Sequence, residues 1–519
     1  MVHRSRLREA CGPIAVAFLC LGVAACATLP RHVVKDRSEA LSPASAAATT
    51  LGSLAAHASE EHNLSGVRLL SGVRLLSSGA EAFSSLLALA DHAEKTLDLQ
   101  YYLITQEDSS LILLEHVRAA AERGVRVRML VDDFHTVGED RRFRRLGQHA
   151  NIEVRLFNPF AGGRFAMWTR FLAAASDIPR INHRMHNKLL LADNALAITG
   201  GRNIGDQYFT RDKNSNFIDL DVVAAGPIVP QLSASFDAFW NSKYAYPIAS
   251  LAPPEPVEPD PRWLEDGVTE EGADFLEQDI DRGTLPLSWV PATVLADRPA
   301  KIASEESPDE EETIANDLSA LIRSAQQECI IISPYFVPGK KGIALLRELV
   351  RRGVHIRILT NSLASTDSPL AHIGYSHYRL DLLRLGVELS EVRPKLGLTR
   401  KRFHPFKSSY ASLHAKAVVI DQNTVFIGSL NMDARSARTN SELGLVIRSS
   451  EIARQVTSLL DDISADGSYR LRMHDHGKHI EWVSGPPGSE QVWHRDPEAT
   501  LLQRLTVDLL APIAPEQLL

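Results

Sequence analysis

Two stretches of this 519-residue chain carry the same reactive side chains in the same order. Met185 to Asp206 (MHNKLLLADNALAITGGRNIGD) and Leu413 to Asp433 (LHAKAVVIDQNTVFIGSLNMD) both read His, one residue, Lys, four residues, Asp, then an apolar run closing in Gly and Asn. The matched residues are His186, Lys188, Asp193, Gly200 and Asn203, and His414, Lys416, Asp421, Gly428 and Asn431, always 228 apart. A histidine supplies a base and a lysine a cation. One His-x-Lys pair by itself is ordinarily just two partly exposed strand residues. Two such pairs at one offset, on otherwise apolar segments, are hard to explain by packing, because burying His and Lys costs free energy unless something uses them.

The elements that must position these groups are short. LHAKAVVI and MHNKLLLA are apolar runs followed by turn residues, Asp421-Gln422-Asn423 and Asp193-Asn194, and by second runs TVFIG and ALAIT. Each copy reads as a β-hairpin. Residues two apart on a strand share a face, so each His and its Lys project from one wall. The Asp falls at the turn, a position that suits a turn former or a strap for a neighbouring backbone N–H.

With these motifs the chain resembles the phospholipase D superfamily, in which two HxKxxxxD motifs meet across a pseudo-twofold axis. LDLQYYL at Leu97, AAERGVRVRMLVDD at Ala120, GGRNIGDQYF, GTLPLSWV at Gly283, SPYFVP at Ser333 and ILTNSLAS at Ile358 extend the likeness to the cardiolipin synthase C branch, from about residue 86 onward. The resemblance implies an α/β fold of two similar α/β/α sandwich domains with one shared active site. It implies catalytic roles for His186, Lys188, Asp193, His414, Lys416 and Asp421, with His186 as nucleophile and His414 as acid and base, the pseudo-symmetry leaving the reverse assignment open. Lys188, Lys416, Asn203 and Asn431 would hold the substrate phosphate oxygens. A nucleophilic histidine also needs its second ring nitrogen held, commonly by a carboxylate. Asp219 in NFIDLDVV and Glu442 in NSELGLVI each follow a hairpin and are the candidates.

The implied reaction transfers a phosphatidyl group through a phosphohistidine to phosphatidylglycerol, with phosphatidylethanolamine as donor in the resembling branch. Hydrolysis of phospholipids, an exported nuclease and an inactive envelope scaffold are the alternatives. The paired motifs argue against a scaffold. The formal net charge of −8 argues against a nonspecific nucleic-acid binder, so phospholipids at a membrane surface are the expected partners. No cofactor is implied, and Cys and His lack the clustered spacing of a zinc site, so no metal is expected.

The first residues differ in kind from the rest. Arg4, Arg6 and Arg8 precede an apolar run from Ile14 to Val23 that is too short to span a bilayer, and Val23-Ala24-Ala25-Cys26 follows. This is the pattern of a signal peptide over 1–25 that ends in a lipobox, with Cys26 as the lipidated residue of an envelope lipoprotein facing the periplasm. Ala27 in place of Asp leans towards outer-membrane sorting. Cys329, in ECIIIS, reads as a buried inert thiol.

An Ala/Ser/Thr-rich segment, 26–60, reads as a flexible tether, and SGVRLL occurs twice in tandem from Ser65 and Ser71. Strands alternating with amphipathic helices over 61–250 and again over 313–470 predict βαβ units and parallel sheets. Gly124 and Gly353 are placed to cap helices. Asp132, Asp133 and Asn361 fall at strand C-terminal ends, where ligand contact and turn capping fit equally well. Residues 251–312, with a proline-rich and an acidic run, read as a connection carrying one ordered piece, GTLPLSWVPATVL. Arg393 to Lys407 is a basic loop, and 471–519 is a C-terminal extension whose run Leu501 to Leu510 suits docking on the protein's own core.

Overall fold

The computed structural model describes residues 28–30, 33–62, 70–175, 177–251, 275–302, 313–395, 410–486 and 488–510. The signal segment with Cys26, the first SGVRLL copy except Leu70, Pro253 to Pro261, most of the acidic run and most of the basic loop lie outside the described residues.

The first half is built on strands β1 (Ser71–Leu76), β2 (Thr96–Tyr101), β3 (Arg126–Asp132), β4 (Ile152–Phe157), β5 (Leu189–Ala192), β6 (Leu196–Gly200), β7 (Ser215–Ile218), β8 (Asp221–Ala225), β9 (Ala245–Pro247) and β10 (Ser288–Val290). The second half uses β11 (Ala292–Ala296), β12 (Glu328–Ile332), β13 (His355–Asn361), β14 (Glu388–Val392), β15 (Tyr410–Leu413), β16 (Ala417–Ile420), β17 (Thr424–Gly428), β18 (Leu443–Arg448), β19 (Ser468–His474), β20 (His479–Ser484) and β21 (Gln491–Trp493). One sheet runs β10-β1-β8-β6-β5-β2-β3-β4-β9 and the other β11-β18-β17-β16-β12-β13-β14-β19-β20-β21. The repeated order, with a βαβ unit flanked by the motif hairpin, is the expected duplication. The sheets are mixed, however, and not parallel throughout. Within these two sheets only β2-β3-β4 and β12-β13-β14 are parallel, because helical crossovers join them, while the hairpins and their return strands pair antiparallel. Gly124 and Gly353 take φ of 97° and 85°, the left-handed conformation expected just past a helix end.

Each hairpin turn does the strapping that its Asp suggests. Asp193 and Asn194, like Asp421 and Gln422, have φ between 50° and 54°. The Asp193 carboxylate accepts from the backbone N–H of Glu94, Lys95 and Thr96, and that of Asp421 from Gln326, Gln327 and Glu328. Each thereby pins the entry of the neighbouring central strand, β2 or β12, to the hairpin.

The halves share a single core, in which Leu189, Leu191 and Val222 meet Ile330, Ala417 and Val419, together with the helices Ile228–Trp240 and Ser450–Asp466. Separate apolar clusters under helices cover the opposite face of each sheet. The connection is more than a linker: Pro291 alone separates β10, which extends the first sheet, from β11, which extends the second. The second sheet also continues through β19, β20 and β21, so a boundary at 470 cuts a strand.

The Ala/Ser-rich tether is docked rather than flexible over its described part. Lys35 Nζ donates to Ala245 O at 2.8 Å, Trp240 Nε1 to Ser38 Oγ at 2.9 Å and Arg128 Nη1 to Ser38 O at 2.9 Å. The helix Thr50–His62 buries Leu51 in the first core. Composition hid this because the segment's contribution is mainly backbone carbonyls, which accept from the buried guanidinium groups of Arg128 and Arg155. Conversely, Leu501, Leu502, Leu505 and Leu509 of the helix Leu501–Leu510 are exposed instead of docked on a core. Cys329 is buried and free, and burial pushes its thiol up to about 12, which fits an inert residue.

Replacing Asp193 with Ala strands three backbone donors at a buried turn and should cost about 3 kcal/mol, whereas Asp421→Ala, at a more exposed turn, should cost about 1 kcal/mol. Chemical denaturation of the two variants checks the ranking; equal losses contradict it.

Candidate active site

Each motif histidine enters its strand from the C-terminal ends of the parallel strands, where the residue before it is braced. The Asp132 carboxylate, at the end of β3, accepts from Met185 N at 2.8 Å, and Asn361 Oδ1, at the end of β13, accepts from Leu413 N at 2.8 Å. These two side chains therefore brace backbone, which resolves the choice between capping and ligand contact. Asp133 is likewise occupied, accepting from Phe160 N and from Arg164.

The opposite half then completes the grip. His186 N donates to Ser441 O at 2.9 Å, and His414 N to Ile218 O at 2.8 Å. The residues that follow these acceptors are Glu442 and Asp219. Glu442 Oε2 lies 2.9 Å from His186 Nδ1, and Asp219 Oδ2 lies 2.5 Å from His414 Nδ1. Both orienting candidates hold a histidine, and both do so across the domain boundary. β7 and β15 carry this crossing as a parallel two-strand ladder, and Met185 and Ser441 form the equivalent bridge. Gly201 is needed beside Asp219, because a Cβ there would lie 2.0 Å from Asp219 Oδ1.

All four His and Lys side chains are buried. Lys188 Nζ donates to His186 O at 2.6 Å, whereas Lys416 Nζ reaches His414 O and also lies 2.8 Å from His414 Nδ1. Asn203 Nδ2 lies 2.9 Å from Tyr208 OH. Asn203 and Asn431 each keep a buried amide oxygen without a partner among the described residues, so both motif copies hold unused hydrogen-bonding capacity. An amide turned over at Asn203 would accept from the tyrosine and present its NH₂ to a phosphate oxygen. Asp193 and Asp421, grouped with the catalytic residues by the motif, do not join them. Each lies at the hairpin turn, five residues beyond its lysine along strands that rise roughly 3.3 Å per residue, and is spent on backbone donors. Their contribution is positional.

Burial sets the protonation states. Desolvation lowers His186 to about 4, against the opposing pull of Glu442 and with help from Lys188 and Lys416; His414 is lowered for the same reason, aided by Lys416. Burial alone would raise Glu442 and Asp219, but the facing histidines and lysines hold both below the usual carboxylate range. Burial also takes Lys416 down to about 8 and Lys188 well below its ordinary value. The free site thus holds neutral histidines whose Nδ1–H faces a carboxylate, leaving Nε2 as the reactive lone pair.

Several contributors escaped the sequence reading. Tyr102 packs edge-on to His186 with ring centroids 5.0 Å apart, and Tyr208 and Phe217 flank His414 at 5.1 and 5.0 Å. Ser429 donates to Glu442. Tyr102 follows β2 and Tyr335 follows β12 in LDLQYYL and SPYFVP, a repeat that was a usable signal; nothing in the sequence marks Ser429 or Phe217.

A neutral histidine held by a carboxylate, a second one to move protons, and lysine and amide groups for an anion make a centre for displacement at phosphorus. Two domains of one fold that build it across their boundary are of the phospholipase D type. The chain belongs to the family described as "Cardiolipin synthase, PLD-like domain", matched over residues 86–240 and 318–463. It is 39% identical over 462 residues to cardiolipin synthase C of Escherichia coli (strain K12), covering 86% of this chain and 95% of that one. It is 26% identical over 385 residues to cardiolipin synthase A of Pseudomonas entomophila, covering 74% of this chain and 66% of the other. The fold is similar to that of phosphatidylserine synthase from Haemophilus influenzae Rd KW20, with a TM-score of 0.55 at 15% identity, over 88% of this chain and 98% of that one.

Glu442→Gln and Asp219→Asn should each lower kcat by roughly 10²- to 10⁴-fold with the fold intact, since the wrong tautomer then faces the reaction. The same centre fixes the pH profile. Lys416 must be protonated to hold an anion, so kcat/KM should fall as pH rises through about 8. That limb should vanish in Lys416→Arg even though the rate drops; a limb that persists assigns it to another group.

Proposed function

We propose that this protein is a phosphatidyltransferase that makes cardiolipin, passing a phosphatidyl group to the glycerol hydroxyl of phosphatidylglycerol. The observation that carries this reading is the crossed pairing of His186 with Glu442 and of His414 with Asp219, which completes a two-histidine centre. It is supported by the likeness to cardiolipin synthase C over most of both chains.

In the first step His186 Nε2 attacks the donor phosphorus, the bond from phosphorus to the headgroup oxygen breaks, and a proton passes from His414 Nε2 to that oxygen. His414 is neutral before substrate arrives; a bound phosphodiester anion favours the protonated ring and readies it as the acid. In the second step the acceptor hydroxyl gives its proton to His414 Nε2 as its oxygen attacks phosphorus, and the P–N bond to His186 breaks. Lys188, Lys416, Asn203 and Asn431 hold the non-bridging oxygens throughout, where charge develops in a dry site.

Access to lipid is supported by two exposed apolar groups. Phe165 and Trp168 are 84% and 68% exposed, and Phe171 beside them contacts Phe134, which touches His135, then Tyr102, then His186. The exposed leucines of the helix Leu501–Leu510 form the second group. Such aromatic and aliphatic side chains suit the boundary of headgroups and acyl chains. We also propose that Cys26 carries lipid on the periplasmic side of the envelope. Lys35 is already fixed to the body, so nine residues at roughly 3.5 Å each limit the reach from the anchor to about 30 Å.

Purified protein given labelled phosphatidylethanolamine and phosphatidylglycerol should form cardiolipin and release ethanolamine, and should keep this activity after exhaustive chelation because the donor set is His, Lys and Asn. Only phosphatidic acid as product points to a hydrolase instead. His186→Ala and His414→Ala should each abolish turnover. Cys26→Ser should move the protein to the soluble fraction while sparing activity on detergent-dispersed lipid; a variant still fully membrane-bound contradicts the anchor.

A further inference from the structure

A cavity of about 780 Å³ opens in the second half, at the C-terminal end of β12. Its floor is apolar, formed by Leu318 and Ile322 of the helix Ile314–Arg323, Phe336 after β12, and Leu345 of the helix Gly339–Arg351. Its rim is cationic. Lys340 and Lys341 stand in the first turn of the helix Gly339–Arg351, which has no acidic residue there, and Arg438 lines the cavity from another helix. A helix N-terminus with lysines in its first turn suits an anion.

Two lining residues link the cavity to the reaction. Asn431, assigned above to the phosphate oxygens, lines it, as does Asp433, whose charge acts on Lys416. Two buried polar atoms on the lining, Asn431 Oδ1 and His183 Nδ1, have no hydrogen-bond partner among the described residues. Unmet buried polar atoms beside apolar walls and a cationic rim describe a seat for an amphiphile with an anionic group and hydroxyls.

The reacting phosphate belongs between the two His-Lys pairs, so an anion at the rim is a different one. Of the two lipids in a transfer, the acceptor is the one whose own phosphodiester does not react. We propose that this cavity seats the acceptor lipid: one acyl chain along the Leu318, Ile322, Phe336 and Leu345 floor, the intact phosphate at the N-terminus of the helix Gly339–Arg351, and the free hydroxyl directed past Asn431 to His414. This rests on the transferase reading and adds a reason why transfer competes with hydrolysis. A seated lipid hydroxyl occupies the position that water would otherwise take.

Ser319 faces the cavity from a partly exposed helix position, so Ser319→Trp fills it with little disturbance to the core. With labelled donor and phosphatidylglycerol vesicles, the variant should lose about tenfold in cardiolipin formation. Phosphatidic acid should rise in its place, and donor consumption should stay within about twofold. Lys340→Glu, a surface change that leaves the fold alone, should shift the product ratio in the same direction. Cardiolipin formation that both variants retain, or donor consumption that falls in step with it, overturns the proposal. A binding measurement separates this from the reaction itself. Soluble dioctanoyl phosphatidylglycerol should bind the full chain carrying His414→Ala, and about tenfold more weakly once Ser319→Trp is added. Equal binding overturns the seat, whereas cardiolipin absent from the unmodified protein with binding intact overturns only the transferase reading.

Discussion

The pairing of each histidine with a carboxylate from the other half is the constraint on which the rest of the structure depends. Without it, each half would bury a His and a Lys beside each other, and in the opposite half a lone carboxylate, each an uncompensated polar burial. Leaving a buried polar group without its partner typically costs about 1 to 3 kcal/mol, and more when the group is a charged carboxylate. The halves are therefore complementary to one another as well as similar. The shared apolar core, the β7–β15 ladder and the chain crossing at Pro291 are the devices that keep them in register.

The same burial that makes the pairing necessary makes the chemistry available. Low polarity drives protons off the histidines and loosens them from the lysines, while the carboxylates stay ionised because they face these groups. A nucleophile needs a free lone pair and an anion site needs a cation that gives strong stabilisation, and a desolvated centre provides both. The two half-sites are not equivalent. Lys416 approaches the ring nitrogen of His414, whereas Lys188 bonds the carbonyl of His186, and Ser429 supports Glu442. This asymmetry accords with different duties for the two histidines in one reaction.

Around the centre, residues of unremarkable type work by holding backbone. Asp132 and Asn361 fix the approach to each histidine, and Asp193 and Asp421 fix the far end of each hairpin. The motif aspartates thus belong to the architecture of the site, although they are inseparable from the sequence pattern that reveals it. The docked segment from Lys35 to His62 makes a similar point, since its small residues contribute mainly the carbonyls they expose, with Ser38 Oγ accepting from Trp240 besides.

The sequence by itself determined the catalytic groups, the duplication and the α/β class, because those depend on residue type and on short-range spacing: His-x-Lys leading into a strand, an Asp at a turn, a glycine past a helix. It also nominated Asp219 and Glu442, since each precedes an apolar strand after its hairpin. Only the tertiary structure decided which histidine each carboxylate serves, because those contacts join residues 195 and 256 apart in the chain and no local pattern encodes them. Tertiary structure also decided the antiparallel flanks of the sheets, the division of 288–296 between two sheets and the docking of the Ala/Ser-rich segment through its carbonyls. Each of these turns on backbone hydrogen bonds to distant partners, and backbone groups are the same for nearly every residue type.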